Sequence, residues 1–172
     1  MAIQIKTLDQ LKTMRRAGLL VGQTLELLRQ SIKVGMRTDA LDAIAAANIK
    51  RGGGTSNFLG YHGYPATICI SINDEIVHGI PGDRIIEDGD VISIDCGAII
   101  DGWHGDAAFS YGVGTVDPAD QKMMDVCEES MWRGFAAANV GGRLTDISHA
   151  IGSYIDSQGE YGILAEYGGH GI

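Results

Sequence analysis

With 172 residues, 45% of them apolar and 20% charged, the chain suits one soluble globular domain spanning residues 1–172 and excludes a disordered tail-like protein. A net charge of −9 leaves no basic stripe to neutralise phosphates, which argues against nucleic acid as a partner. No apolar run reaches membrane-spanning length, no signal-peptide pattern opens the chain, and Cys69, Cys96 and Cys127 are too few and too far apart for a disulfide framework. Reduced thiols in a cytoplasmic protein, with no membrane partner, are the expectation.

Thr7 and Gln10 make a capping box, and Leu8, Leu11, Met14, Val21, Leu25, Leu28 and Ile32 follow at helical spacing, ending at Gly35. Thr38 should cap a second helix that carries Leu41, Ile44 and Ile49 and stops at Gly52-Gly53-Gly54. Strand-like segments run over Ala66 to Ile72 and Glu75 to Ile80. A strand from Asp90 to Ile100 and its return from Trp103 to Tyr111 come next. Asp117 with Pro118 opens a third helix that should end at Gly141-Gly142, and Thr145 should cap a fourth that closes near Gly159.

The helix pairs echo each other. Val34-Gly35-Met36-Arg37-Thr38-Asp39 resembles Val140-Gly141-Gly142-Arg143-Leu144-Thr145-Asp146, at an offset of 106 residues. Such corners favour Gly and Thr on local grounds, so chance and duplication both remain open. Under duplication, residues 7–112 form a first pseudo-repeat and 114–172 an incomplete second one, short by about fifty residues.

Asp101-Gly102 between two apolar runs is a strong signal for a two-residue hairpin turn. Counting outward, Ile100 should face Trp103, Gly97 should face Asp106, and Asp95 should face Ala108. Asp95 and Asp106 then share one sheet face as diagonal neighbours, roughly 5–8 Å apart at Cβ. Two carboxylates so close are costly without a cation between them. Solvated strand-end charges are the competing reading, and a single β-bulge would put the two acids on opposite faces. His170, between glycines, is open to a ligand role or an ordinary loop position; Asp and His together suit Mn²⁺, Fe²⁺, Co²⁺ or Zn²⁺. On the residues alone His78 reads as a turn histidine, and Tyr61 and Tyr64 as core aromatics.

Five segments in order carry a resemblance: Gly60-Tyr61-His62-Gly63-Tyr64-Pro65, Ser71 to Pro81, Ile94-Asp95-Cys96-Gly97, Trp103-His104-Gly105-Asp106 and Gly168-Gly169-His170-Gly171-Ile172. Together they resemble the type I methionine aminopeptidases, from about Thr7 to the last residue. The resemblance implies an α+β pita-bread fold, with an antiparallel curved sheet covered by two helix pairs, complete in its N-terminal half and incomplete in its C-terminal half. It implies a hydrolase with two divalent metal ions that removes the initiator methionine when the next residue is small. Its substrates would be the N-termini of nascent polypeptides, including those near the ribosome.

By the same resemblance, Asp95 binds one metal, Asp106 bridges both and His170 binds the other. His78 is the catalytic histidine that contacts the substrate near its scissile amide. Tyr61, Tyr64 and Cys69 line the pocket for the methionine side chain, and Phe58 stands where related enzymes often carry cysteine. Two glutamate ligands and a second histidine of the family lie outside these 172 residues, so little or no turnover is expected of this chain alone. A Xaa-Pro dipeptidase relative and a non-catalytic pita-bread binding module are the alternatives.

Overall fold

The computed structural model describes residues 4–164 and 166–171. They form two compact units, one through Val116 and one from Asp117 to Gly171. Ile172, which closes the last of the family-like segments, lies outside the described residues.

The first unit opens with helix α1, Leu8–Ser31. Gln10 N–H donates to Thr7 Oγ1 at 3.3 Å and Thr7 N–H to Gln10 Oε1 at 2.8 Å, closing the expected capping box. The buried stripe is Ala17, Leu20, Val21, Thr24 and Leu28, whereas Leu8 and Leu11 of the first turns stay exposed. The helix stops at Ser31, short of Gly35. Ile32 turns extended, and Gly35 N–H donates to Ile86 O while Ile86 N–H donates to Met36 O. These linker groups find partners in a neighbouring segment rather than in another helical turn.

Helix α2 spans Thr38–Arg51 and ends at Gly52. Arg37, not Thr38, is its cap residue. The Thr38 hydroxyl is spent on Gly82, accepting from its N–H at 2.8 Å and donating to its carbonyl at 3.1 Å. Inside the helix pair, buried Asn48 Nδ2 donates to Thr24 Oγ1 at 2.9 Å, and that hydroxyl donates to Leu20 O at 2.8 Å. A buried polar pair satisfied in this way joins two helices without leaving an orphan.

The sheet has strands β1 (Thr55–Ser56), β2 (Cys69–Ile72), β3 (Val91–Ile100) and β4 (Trp103–Gly112). Each partner of the central β3 runs antiparallel to it, β4 along its whole length. Ile70, Ile72, Ile92, Ile94, Cys96, Ala98 and Ile100 point into one core with α1 and α2. Burying an isoleucine of this kind contributes about 1.5–3 kcal/mol, so this apolar face fixes which side of the sheet looks inward.

Two expected strand limits fail. Ala66–Ile68 does not pair, because Thr67 N–H and Ile68 N–H both donate to Asp42 Oδ1 of α2. Glu75–Ile80 is a loop: the Glu75 carboxylate accepts Ile72 N–H at 2.9 Å, and Asn73 and His78 take left-handed φ of 58° and 61°.

The second unit is a helix pair, α3 (Pro118–Ala137) and α4 (Leu144–Gln158). Asp117 caps α3 by accepting Ala119 N–H at 2.7 Å. A Cβ on Gly134 would meet Ile151 at 2.8 Å, which marks where the two helices touch closely. The expected ends shift here too. The last helical residue of α3 is Ala137, because Asn139 N–H bonds Ala137 O and Gly142 N–H bonds Asn139 O in a turn. Thr145 lies within the first turn of α4, and Asp146 accepts the Arg143 N–H in the cap position at 2.8 Å. Gly35 and Gly141, at the two echoing corners, take φ of +86° and +88°.

Candidate metal centre

Asp101 and Gly102 take φ of +50° and +79°, the signs a primed two-residue turn requires. Ten unbroken pairs then run from Ile100 opposite Trp103 to Val91 opposite Gly112, with Gly97 opposite Asp106 and Asp95 opposite Ala108. No bulge intervenes, so Asp95, Gly97 and Asp106 share one face and the core isoleucines occupy the other. β2 brings Cys69 directly opposite Asp95 on the acidic face.

Both carboxylates are half-buried. Among the described residues, the buried Asp106 Oδ1 has no hydrogen-bond partner. An orphaned carboxylate oxygen beside a second carboxylate is expensive in protein alone and becomes favourable once a cation binds.

Asn57 escaped sequence reasoning. A Cβ on Gly97 would meet Asn57 Nδ2, Cγ and Cβ at 2.7, 2.8 and 2.9 Å, so Asn57 lies on the sheet where Gly97 leaves room. Its N–H donates to Gly97 O at 3.2 Å and its Nδ2 to Gly105 O at 3.4 Å, straddling the Gly97–Asp106 pair. Its Oδ1 is also buried without a partner among the described residues. A glycine in mid-strand beside an acid is the signal that something must approach there.

Burial, seconded by Asp95 and Asp106, pushes the Cys69 thiol up, although a Tyr64 hydrogen bond opposes it. Burial pushes Cys96 up to about 12, with the same carboxylates adding to it. Both therefore stay protonated at neutral pH and act as small apolar side chains rather than thiolate ligands.

Phe58 and Tyr64 pack edge to face at 6.5 Å, and the Tyr61 ring meets His62 at 4.4 Å while remaining 68% exposed. Burial raises the Tyr64 phenol well above its ordinary range, and its hydroxyl lies 2.9 Å from Gly79 O and 3.1 Å from Ile68 O. His78 is exposed on the loop after β2. His170 is exposed in the second unit, its Nδ1 3.2 Å from Gly171 O. Thus the hairpin unites Asp95 with Asp106, and β2 adds Cys69. Among the described residues no group of three or more His, Cys, Asp or Glu side chains comes together at metal-binding distance.

The profile of metallopeptidase family M24 matches residues 12–172. Methionine aminopeptidase 1 of Bacillus subtilis is 46% identical over 167 residues, which cover 97% of this chain and 67% of that protein. Methionine aminopeptidase from Thermotoga maritima superposes with a TM-score of 0.89 at 33% identity, over 92% of this chain and 64% of that one. Prolidase from Pyrococcus furiosus, 20% identical with a TM-score of 0.78 over 90% of this chain and 44% of its own, shares the fold. The chain thus spans about two-thirds of the length of its closer relatives.

Proposed function

We propose, from the premise that this chain belongs to metallopeptidase family M24 and groups with its methionine aminopeptidases, that it supplies part of a site that removes initiator methionine from nascent polypeptides. The fold is the pita-bread fold of that family, and a metallopeptidase of this kind uses divalent metal. The observation that carries the proposal is the shared face of Asp95 and Asp106, with the orphaned Asp106 Oδ1 inside it. The chemistry of the donors would suit two ions drawn from Co²⁺, Mn²⁺, Fe²⁺ or Zn²⁺. Asp95 would hold one, Asp106 both and His170 the other. Such ions, when bound, polarise the peptide carbonyl and lower the pKa of water for attack.

The chain's own residues do the rest. His78, exposed on the loop after β2, would meet the substrate near its scissile amide. The rings of Phe58, Tyr61 and Tyr64 and the protonated Cys69 thiol would form an apolar seat for an unbranched thioether, a reading supported by the edge-to-face contact of Phe58 with Tyr64. The matching corners at Gly35 and Gly141 favour an origin by duplication, with residues 7–112 and 114–172 as the two repeats. A reducing cytoplasm suits three unpaired thiols. No helix among the described residues is long and apolar enough to cross a membrane.

The test uses a chimera in which the remaining third of the Bacillus subtilis relative follows this chain. With Co²⁺ or Mn²⁺ it should release methionine from a Met-Ala peptide and leave a Met-Leu peptide intact, whereas the 172-residue chain alone should show little or no turnover. Cleavage of Xaa-Pro peptides instead, or normal rates from the chain alone, would overturn the reading. The 46% identity to an aminopeptidase against 20% to a prolidase favours the first outcome.

A further inference from the structure

His78 holds a left-handed φ of 61°, a conformation that L side chains disfavour and that persists where surroundings over-determine it. Side-chain packing does not supply that restraint. Ile76, Val77 and Ile80 around it are 60, 43 and 61% exposed. The restraint lies one residue on, at Gly79.

The Gly79 carbonyl accepts from Ile70 N–H at 2.9 Å and from the Tyr64 hydroxyl at 2.9 Å. Its N–H donates to Ser71 Oγ at 3.1 Å. A Cβ at Gly79 would stand 2.1 Å from Ile70 O, so the loop lies directly against the β2 backbone. Every hydrogen-bonding group of the Gly79 backbone is therefore committed. Ser71 is 4% exposed and sits in the strand, and Tyr64 is tied within its own loop by Tyr64 N–H to Tyr61 O at 2.9 Å and Gly60 N–H to Tyr64 O at 2.8 Å. Both side chains that grip Gly79 are thus themselves held.

We propose that Tyr64 and Ser71 are positioning residues: together they clamp Gly79 and thereby fix the strained His78 backbone and the direction of its imidazole. The role rests on the reading of His78 given under the proposed function. It assigns the Tyr64 hydroxyl to the loop, while the Tyr64 ring remains a wall of the pocket. Ser71, which no motif singled out for a role, becomes part of the site through one hydrogen bond.

Tyr64→Phe keeps the ring and removes the hydroxyl; Ser71→Ala removes the acceptor of the Gly79 N–H. In the isotope-labelled 172-residue chain, each should weaken the intraresidue HN–Hα NOE of His78, which a fixed positive φ makes strong, and speed amide exchange at Ile70 or Gly79 at least tenfold. Exchange at Ile94 and Cys96 in the hairpin should not change, which separates a local release from general loosening. An unchanged His78 intraresidue NOE and unchanged exchange in both variants would overturn the clamp alone. Separately, His78→Ala in the chimera should abolish most turnover of Met-Ala peptide. Unchanged turnover there would overturn the placement of His78 at the substrate, whatever the NOE shows.

Discussion

Asp106→Asn should weaken Co²⁺ or Mn²⁺ binding about a hundredfold or more and at the same time stabilise the metal-free chain by about 1 kcal/mol. The two effects share one cause. Among the described residues, Asp106 Oδ1 is buried without a hydrogen-bond partner, and its carboxylate shares a sheet face with that of Asp95. Neutralising one member of the pair removes the repulsion between them. The side chain keeps its shape, so the hairpin register, set by the Asp101-Gly102 turn, is untouched. Calorimetric titration reads the affinity, and thermal melts with and without metal read the stability. Wild-type protein should gain melting temperature with metal, and the variant should start higher and gain almost nothing. If the variant is less stable without metal, the oxygen was serving a protein partner and the pair is structural.

Gly105→Ala should destabilise the chain by about 2–4 kcal/mol, near the upper end of overpacking effects. Gly105 lies next to Asp106 on β4, facing the opposite way, toward α1. An added Cβ would stand 2.6 Å from the Ala17 carbonyl carbon and the Gly18 nitrogen and 2.8 Å from Ala17 O. Those are backbone atoms of a long helix, so no side chain can swing away. Either helix or strand must shift, and strand movement carries Asp106 with it. Melting temperature should fall by roughly 5–15 °C, accompanied by weaker metal binding. Gly18→Ala supplies the counterpart on the other side of the same contact. Its own Cβ would meet nothing within 4 Å, so it should be neutral or stabilise by up to about 1 kcal/mol, as alanine does in a helix interior. Equal losses from both substitutions would show that the close approach is not what the geometry describes.

What could be read from the sequence follows the range of the interaction that decides it. The hairpin register was legible to the residue, because a two-residue turn leaves no freedom in pairing and a period of two leaves none in facing. Helix starts at Thr7 and Asp117 were legible for the same reason, since their caps act over three residues. The ends were not. Gly35 and Gly141 lie in the corners after the helices, whose last turns are Ser31 and Ala137. What stops α1 early is pairing with Ile86, more than fifty residues away in sequence.

Glu75–Ile80 looked like a strand because Ile76, Val77 and Ile80 are apolar, yet their side chains are exposed and the loop is held at Glu75 and Gly79 instead. Asn57 was invisible to local pattern, and Ser71, although it opens one of the family-like segments, carried no sign of a role. Each matters through a residue it meets only in the folded sheet: Gly97 for one, Gly79 for the other. The acidic pair was legible as geometry, and the family resemblance supplied what geometry left open, namely which of two readings of that pair to prefer.

The most direct test of the acidic hairpin as the metal centre is paramagnetic broadening. Substoichiometric Mn²⁺ is added to the isotope-labelled 172-residue chain and the amide signals are followed. The account predicts that signals of Asp95, Gly97, Asp106 and Ala108 disappear first, with Cys69 across the sheet close behind, and that Asp106→Asn abolishes the pattern. Broadening centred instead on the exposed acids of the Asp117–Glu129 helix, or uniform weak broadening with the hairpin spared, would contradict it.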